Sequence, residues 1–556
     1  VTPLGLEKTY RYNNRKDLVA VEEKDSERNE GRLTQLSYDL RHLVKEVKDG
    51  AGGITRYEYR ADGKVISEKR GAWEKKYEYD AAGRIAKIIQ KKAGSTDEYV
   101  TSATYTLQGA DRIQVFTDGL GNKQVYRYDA WSRLTEQVNA IGESTTRQYS
   151  AGGAVLTAQG SYGGVYRYGY EAGFAVSFGK DGDSAVRRSY SPIGLLLNET
   201  DREGRQRRYG YTERGLIKSI ATDEGRITYT YDGAGRVIEQ SAYTEANGQT
   251  YRTRYRYEGR TVTEERGAYI TTYALDGWGK PVRKTDGEGW SERYRYDGAG
   301  RVSEVRDDIG LLAGYTYNEL SLVASERHGT ETPAVYTYNA VGLLEKAERG
   351  NEILLARSYD KAGRLVREKK QGAPEKTYRY DALGRLTEVR SAGAVQAQYR
   401  YGSYGRTVTY TDGAGSEYLF EKDGYGLLTT EHDRLGNKRQ YGYSKEDELT
   451  EAHGRNGGVR SVTRVKGSEI TTYKDGSRYE ITKDIAGAVI FEKGIDGEGK
   501  RTSEVRYRYD EAGQLIEQAD DAGDTRIIYR YNKAGYRTEM QTNDRYVVYE
   551  IDGRGR

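Results

Sequence analysis

Along most of its length the chain repeats one pattern of positions: a Tyr, a polar residue, a second Tyr, a short polar group ending in Gly, and then an aliphatic residue that opens another alternating run. Alternation with period two puts every second side chain on the same face of a β-strand, and aromatic residues favour that half-buried pleated surface. In the central stretch the second Tyr of the Tyr-x-Tyr unit falls at Tyr296, Tyr317, Tyr338, Tyr359, Tyr380 and Tyr401, a spacing of 21 residues five times running. The unit also occurs, with drifting length, at Tyr12, Tyr38, Tyr59, Tyr79, Tyr128, Tyr170, Tyr190, Tyr211, Tyr231 and Tyr257, and later at Tyr443, Tyr509 and Tyr531. A period of this size marks one supersecondary unit stacked many times.

The fullest copies are residues 77–85 (YEYDAAGRI), 294–302 (YRYDGAGRV) and 378–386 (YRYDALGRL). The repeat motif is therefore carried by Tyr77, Tyr79, Asp80, Gly83 and Arg84, by Tyr294, Tyr296, Asp297, Gly300 and Arg301, and by Tyr378, Tyr380, Asp381, Gly384 and Arg385. Asp at the first and Gly at the fourth position suit a type I turn whose last residue is left-handed, giving a hairpin with a bulge. The aliphatic residue then begins a returning strand, as in Leu386-Thr387-Glu388-Val389, which runs to a second, Gly-rich turn. That second turn reads Asp118-Gly119-Leu120-Gly121, Asp286-Gly287-Glu288-Gly289, Asp412-Gly413-Ala414-Gly415 and Asp496-Gly497-Glu498-Gly499. Short strands punctuated at both ends predict an all-β antiparallel meander of tandem hairpins, about two dozen units and on the order of four dozen strands. The motif thins at residues 23–32, 90–111 and 444–506, which read as longer loops or worn copies. Nothing marks a linker, so residues 1–556 form one continuous repeat region, most regular at 294–405.

Composition decides what the strands build. By length the 556 residues would allow three to five domains, at about 100–200 residues each. Leu, Ile, Val and Phe number only 95, about 17%, a range that ordinarily signals disorder. Yet 89 Lys and Arg nearly balance 85 Asp and Glu, and 53 Tyr are present, whereas disordered chains combine high net charge with few aromatics. Two packed sheets need aliphatic inner faces that this chain does not supply. A single twisted sheet held by Tyr is easier to satisfy, and accumulated twist coils it into a spiral ribbon that closes on itself or walls a hollow.

A net charge of +4 over this length concentrates no field for phosphate or anionic lipid, which argues against nucleic acid as a partner. No stretch approaches the ~18 apolar residues of a membrane span. The absence of Cys removes disulfides, zinc-thiolate sites and thiol catalysis. Val1-Thr2-Pro3 offers neither initiator Met nor signal peptide, so the chain reads as a piece of a larger protein. His42, His328, His432 and His453 lack closely spaced partners, and the Asp-Gly groups recur as turns without an EF-hand pattern. No nucleophile elbow, phosphate loop or dinucleotide fingerprint occurs, so no catalytic residue, metal or cofactor is expected. Rows of Tyr could stack on sugar rings. Trp73, Trp131, Trp278 and Trp290 lie off the repeat pattern, and Trp131 and Trp278, inside turns, are the candidates for ligand contact.

The Tyr-Asp-x-x-Gly-Arg-aliphatic motif in register over the whole chain resembles the YD-repeat, or Rhs-repeat, family. That family includes bacterial Rhs polymorphic toxins, wall-associated proteins, the B and C components of insecticidal toxin complexes, and teneurins. The resemblance implies a β-shell that shields or delivers a C-terminal toxin or other polypeptide cargo in a secreted or cell-surface bacterial protein. The opposing expectation is a carbohydrate-binding or adhesion module on a cell surface. Toxin-bearing members end in a core with Asp-Pro-x-Gly elements, whereas this sequence has no Asp-Pro and stops inside a repeat at Arg556. No toxin or self-cleavage site is therefore assigned to these residues.

Overall fold

The computed structural model describes residues 2, 4–454, 458–465 and 467–556, with the side chains of residues 460 and 465 left aside. Among the described residues fifty-one strands form, from β1 (Leu6–Tyr12) to β51 (Tyr546–Val548), close to the number the repeat predicts. A single 3-10 turn, Ser403–Gly405, is the one helical element among the described residues. No helix there is long and apolar enough to cross a membrane. Strands pair antiparallel with their sequence neighbours within a 42-stranded sheet and, after it, within a separate 9-stranded sheet. The first ends at β42 (Leu449–His453) and the second begins at β43 (Val459–Val465). Residues 455–457 and 466, within the irregular 444–506 stretch, lie outside the described residues.

The expected bulge is present. Tyr296 pairs with Val302, and the register shifts between Arg295 and Tyr296. The same one-residue shift recurs at Arg379/Tyr380 and Glu78/Tyr79. The thin parts of the motif are worn copies rather than long loops, since Glu98–Gln108, Ser468–Tyr473 and Arg478–Lys483 are all strands. Alternating β-branched residues there, such as Ile470 and Thr472, serve the pleat where Tyr is missing.

The wall is one sheet thick. Buried apolar side chains are few and mostly small, among them Ala20, Ala313, Ala334, Ala347 and Ala397. Solvent-accessible surface reaches 32059 Å² for a 62.7 kDa chain, about 1.6 times the ~20,000 Å² expected of a compact monomer of that mass. Both faces are therefore wetted, as the shortage of aliphatic residues requires.

Twist coils the ribbon into a spiral whose successive turns touch. Hydrogen bonds between coils join residues 233 to 267 positions apart. The strand Trp73–Tyr79 lies below the strand Ala334–Tyr338, 24 strands later. At ~4.8 Å per strand this gives a circumference of about 115 Å and a backbone diameter of about 37 Å. Since strands alternate in direction, the Tyr-Asp turns all point to one edge of the ribbon and the Asp-Gly-x-Gly turns to the other.

Candidate functional site

The repeat is built around three contacts. In the turn at Asp381, one carboxylate oxygen accepts from the backbone N–H of Leu383 and of Arg385, both at 2.9 Å, and the other from Arg385 Nε at 2.7 Å. Gly384 closes the turn at φ 79°, donating to the Asp381 carbonyl at 3.0 Å. Asp80 and Asp297 bind Arg84 and Arg301 in the same way, with Gly83 and Gly300 at φ 75° and 78°. These interactions fix the turn that the sequence motif encodes.

The second Tyr couples each repeat to the one before it. Tyr380 donates its hydroxyl to the Leu365 carbonyl at 2.7 Å, Tyr296 to Pro281 and Tyr79 to Val65. Eighteen such bonds occur among the described residues. Several of these rings are also covered by the turn Arg of the preceding repeat, as Arg364 over Tyr380 at 5.0 Å, Arg385 over Tyr401 at 4.3 Å and Arg301 over Tyr317 at 4.4 Å. The first Tyr is less constrained: Tyr294 donates to Glu292 at 2.5 Å, Tyr77 approaches Glu68 at 3.5 Å, and Tyr378 lies opposite Val389. Burial, followed by the Glu292 hydrogen bond, pushes the Tyr294 phenol well above its ordinary value.

The feature that the motif does not announce is the seam between coils, where Asp-Gly-x-Gly turns of one coil meet Tyr-Asp turns of the next. Asp25, fully buried, accepts from the Gly277 amide at 2.7 Å and pairs with Arg260 at 2.7 Å. The Trp73 indole donates to the Asn339 carbonyl at 2.9 Å, and the Gly164 amide to the Gly424 carbonyl at 2.6 Å. Farther along, Asp447 takes Arg202 and Lys180, Glu288 takes the Lys533 amide at 2.8 Å, and Asp307 takes Arg554 at 2.5 Å. The backbones come so close that a Cβ on Gly50 would lie 2.2 Å from the Gly298 carbonyl oxygen, and one on Gly119 2.0 Å from that of Lys361. Neither Gly50 nor Gly119 has a positive φ. Their turns thus contain one Gly more than turn geometry needs, and at these positions it makes room for the adjoining coil.

The four Trp divide accordingly. Trp73 is buried at the seam and Trp290 packs under Gly553. Trp278 donates its indole N–H to Glu23 across the seam at 3.0 Å, with the Arg32 guanidinium 3.9 Å over its ring. Trp131 is 76% exposed, with Arg133 at 4.9 Å. The two turn Trp are not brought together. His42 is bound to Asp17, and His328 and His453 to Glu326 and Glu451, at their own strand ends. Among the described residues no group of His, Asp and Glu is arranged to hold a metal. A cavity of about 480 Å³ opens in the seam beside Glu199, Asp201, Arg205 and Arg464, with charges of both signs.

Residues 334–432 match the teneurin YD-shell family model and residues 276–308 the RHS repeat model. Over 247 residues the chain is 28% identical to the tRNA3(Ser)-specific nuclease WapA of Bacillus spizizenii, covering 41% of this chain and 9% of that protein. Over 127 residues it is 25% identical to double-stranded DNA deaminase toxin A of Burkholderia cenocepacia, covering 23% and 9%. The Tc holotoxin pore of Photorhabdus luminescens superposes with a TM-score of 0.56 at 14% identity, over 97% of this chain and 33% of that one. TcdB2-TccC3 without its hypervariable C-terminal region gives 0.53 at 14% identity, over 97% and 33%. The chain thus spans about a tenth of its curated relatives and a third of these solved chains. In its matched regions the chain is similar to the teneurin YD-shell and RHS repeat families, and in fold to the solved Tc toxin chains.

Proposed function

We propose that this chain is wall material of a container that encloses a polypeptide cargo, rather than a catalyst. The observation that carries the reading is the continuous seam, from Asp25 and Gly277 to Asp307 and Arg554, which turns a ribbon into a closed wall. A wall one sheet thick with both faces wetted has room inside, and among its described residues no group is arranged to hold a metal. Relatives named as a nuclease, a deaminase toxin and a toxin pore support a toxic polypeptide as the cargo, in a secreted or cell-surface parent. The opposing reading, a sugar-binding surface, would need exposed indole faces, and of the four Trp only Trp131 is exposed.

The test is protection. A protease-sensitive polypeptide without stable fold is fused after Arg556 and digested, beside the same polypeptide alone. The expected result is survival of the fused segment at protease levels that remove the free one, with protection lost when the seam is wedged open by Gly298→Trp. Equal digestion rates with and without the wall would overturn the container.

A further inference from the structure

In the seam, the residue that follows the Asp of an Asp-Gly-x-Gly turn sits against the backbone of the facing turn. Gly50, Gly119 and Gly287 stand at that position, and a Cβ on them would lie 2.2, 2.0 and 2.3 Å from the carbonyl oxygens of Gly298, Lys361 and Lys533. In Asp201-Arg202-Glu203-Gly204 the same position holds Arg202. The turn it meets departs from the motif as well. In Tyr443-Ser444-Lys445-Glu446-Asp447-Glu448, Asp447 stands where the motif has Gly and takes the left-handed conformation at φ 66°, which Asp tolerates better than most residues. Two glycines of the motif have thus become an Arg and an Asp that face each other.

The exchange turns a backbone contact into an ionic one. The Arg202 guanidinium donates to Asp447 at 3.0 Å, and the Arg202 backbone N–H to the Glu446 carboxylate at 2.5 Å. Lys180, at the end of the strand Phe174–Lys180, pairs with the other Asp447 oxygen and lies 4.5 Å over the Tyr425 ring. Lys180 and Arg202 keep only 10% and 11% of their side-chain surface exposed. Cations so placed are costly to leave without their carboxylates, yet the intact pair adds less than a packed contact of the same size. A cavity of about 480 Å³ adjoins the same turn at Asp201, Glu203 and Arg205, so the coils stand apart on one side of the cluster. Turn meets turn here, and separating them breaks no bond between paired strands.

We propose that the cluster of Lys180, Arg202, Glu446 and Asp447 is a latch, the stretch of seam at which the coils part first, opening the wall sideways into that cavity while stretches closed by backbone contact stay shut. The latch goes beyond the container reading, since it needs the wall alone and no cargo.

Hydrogen exchange read at single amides by mass spectrometry tests this. The Arg202 N–H reports on the latch, and the Arg252 N–H, which donates to the Glu511 carbonyl of the adjoining coil at 2.8 Å, reports on a stretch closed by backbone. Corrected for intrinsic rates, Arg202 is expected to exchange faster than Arg252, because local opening needs less free energy than opening the whole wall. Asp447→Asn keeps the size and the tolerance of a left-handed backbone but removes the charge. It should speed exchange at Arg202 by about tenfold or more and leave Arg252 unchanged. An Arg202 amide as well protected as that of Arg252 overturns the proposal, as does a variant that leaves Arg202 unchanged or speeds both amides alike. Should the variant fail to fold, the comparison of the two amides in the unsubstituted chain decides the outcome.

Discussion

The amide of Gly277 donates to the carboxylate of Asp25 at 2.7 Å, although 252 residues separate them. Arg260 reaches the same carboxylate, so three segments of two coils converge on one buried Asp. A charge without solvent is tolerable only when its oxygens are satisfied in this way. Where such a contact holds, the ribbon is a wall.

Close backbone approach at the seam predicts a contrast between two glycines at the same turn position. A Cβ on Gly298 would lie 1.9 Å from the Gly50 carbonyl oxygen, whereas one on Gly233 meets nothing within 4 Å. Neither has a positive φ. Gly298→Ala should destabilise by about 1–3 kcal/mol through overpacking, while Gly233→Ala should be neutral or stabilise by up to about 1 kcal/mol. Urea midpoints compare the two, and equal effects would remove the seam as the cause.

Within the repeat, the turn Asp should matter more than the Tyr hydroxyl. Tyr380→Phe deletes one bond, to Leu365, and should cost about 0.5–1.5 kcal/mol. Asp381→Ala deletes three, to Leu383, Arg385 N and Arg385 Nε, and should cost about 1–3 kcal/mol. Stability of stacked repeats is roughly a sum of unit and neighbour terms, so pairing either change with its counterpart at Tyr296 or Asp297 should be close to additive. Chemical denaturation measures each.

Acid should open the seam. The Arg554 guanidinium, against a smaller effect of burial, holds the Asp307 carboxyl down at about 2. At Asp447 burial pushes upward but Lys180 and Arg202 outweigh it, and at Asp25 the Gly277 amide and Arg260 do the same. A depressed carboxyl contributes stability above its unfolded value of ~3.9 that is lost as pH falls toward 2. Trp73, Trp278 and Trp290 lie at the seam, so their emission should change between about pH 4 and pH 2. Trp131→Phe should leave that change in place, since Trp131 is exposed and away from the seam.

Alkali should dissolve the wall for the opposite reason. The Glu492 hydrogen bond and then burial push the Tyr479 phenol up to about 12, while burial and then the Glu492 charge bring Tyr507 to about 12. Burial raises Tyr296, Tyr317, Tyr338, Tyr380 and Tyr401 as well. A raised phenol contributes stability in full below its unfolded value of ~10, and this is lost as pH climbs toward 12. Phenolate absorbance should therefore rise together with loss of strand signal by circular dichroism. Gradual ionisation of intact strands would count against the Tyr bonds as supports.

Much of the unit was legible in the sequence because its determinants are local. Tyr-x-Tyr names a strand face, Asp at the first position binds the turn amides, and Gly at the fourth takes the left-handed conformation, all within nine residues. The scarcity of aliphatic residues likewise implied a single wetted sheet, since no second layer could be packed against it. What the sequence left open was where each turn sits on the next coil. That depends on how much twist accumulates over 24 strands, a sum of small angles no single motif states. Only the folded spiral decides that Trp278 meets Glu23 while Trp131, in a similar turn, meets solvent. The same closure explains the first Gly of Asp-Gly-x-Gly at Gly119 and Gly287, which reads locally as turn punctuation and is in fact the space one coil leaves for another.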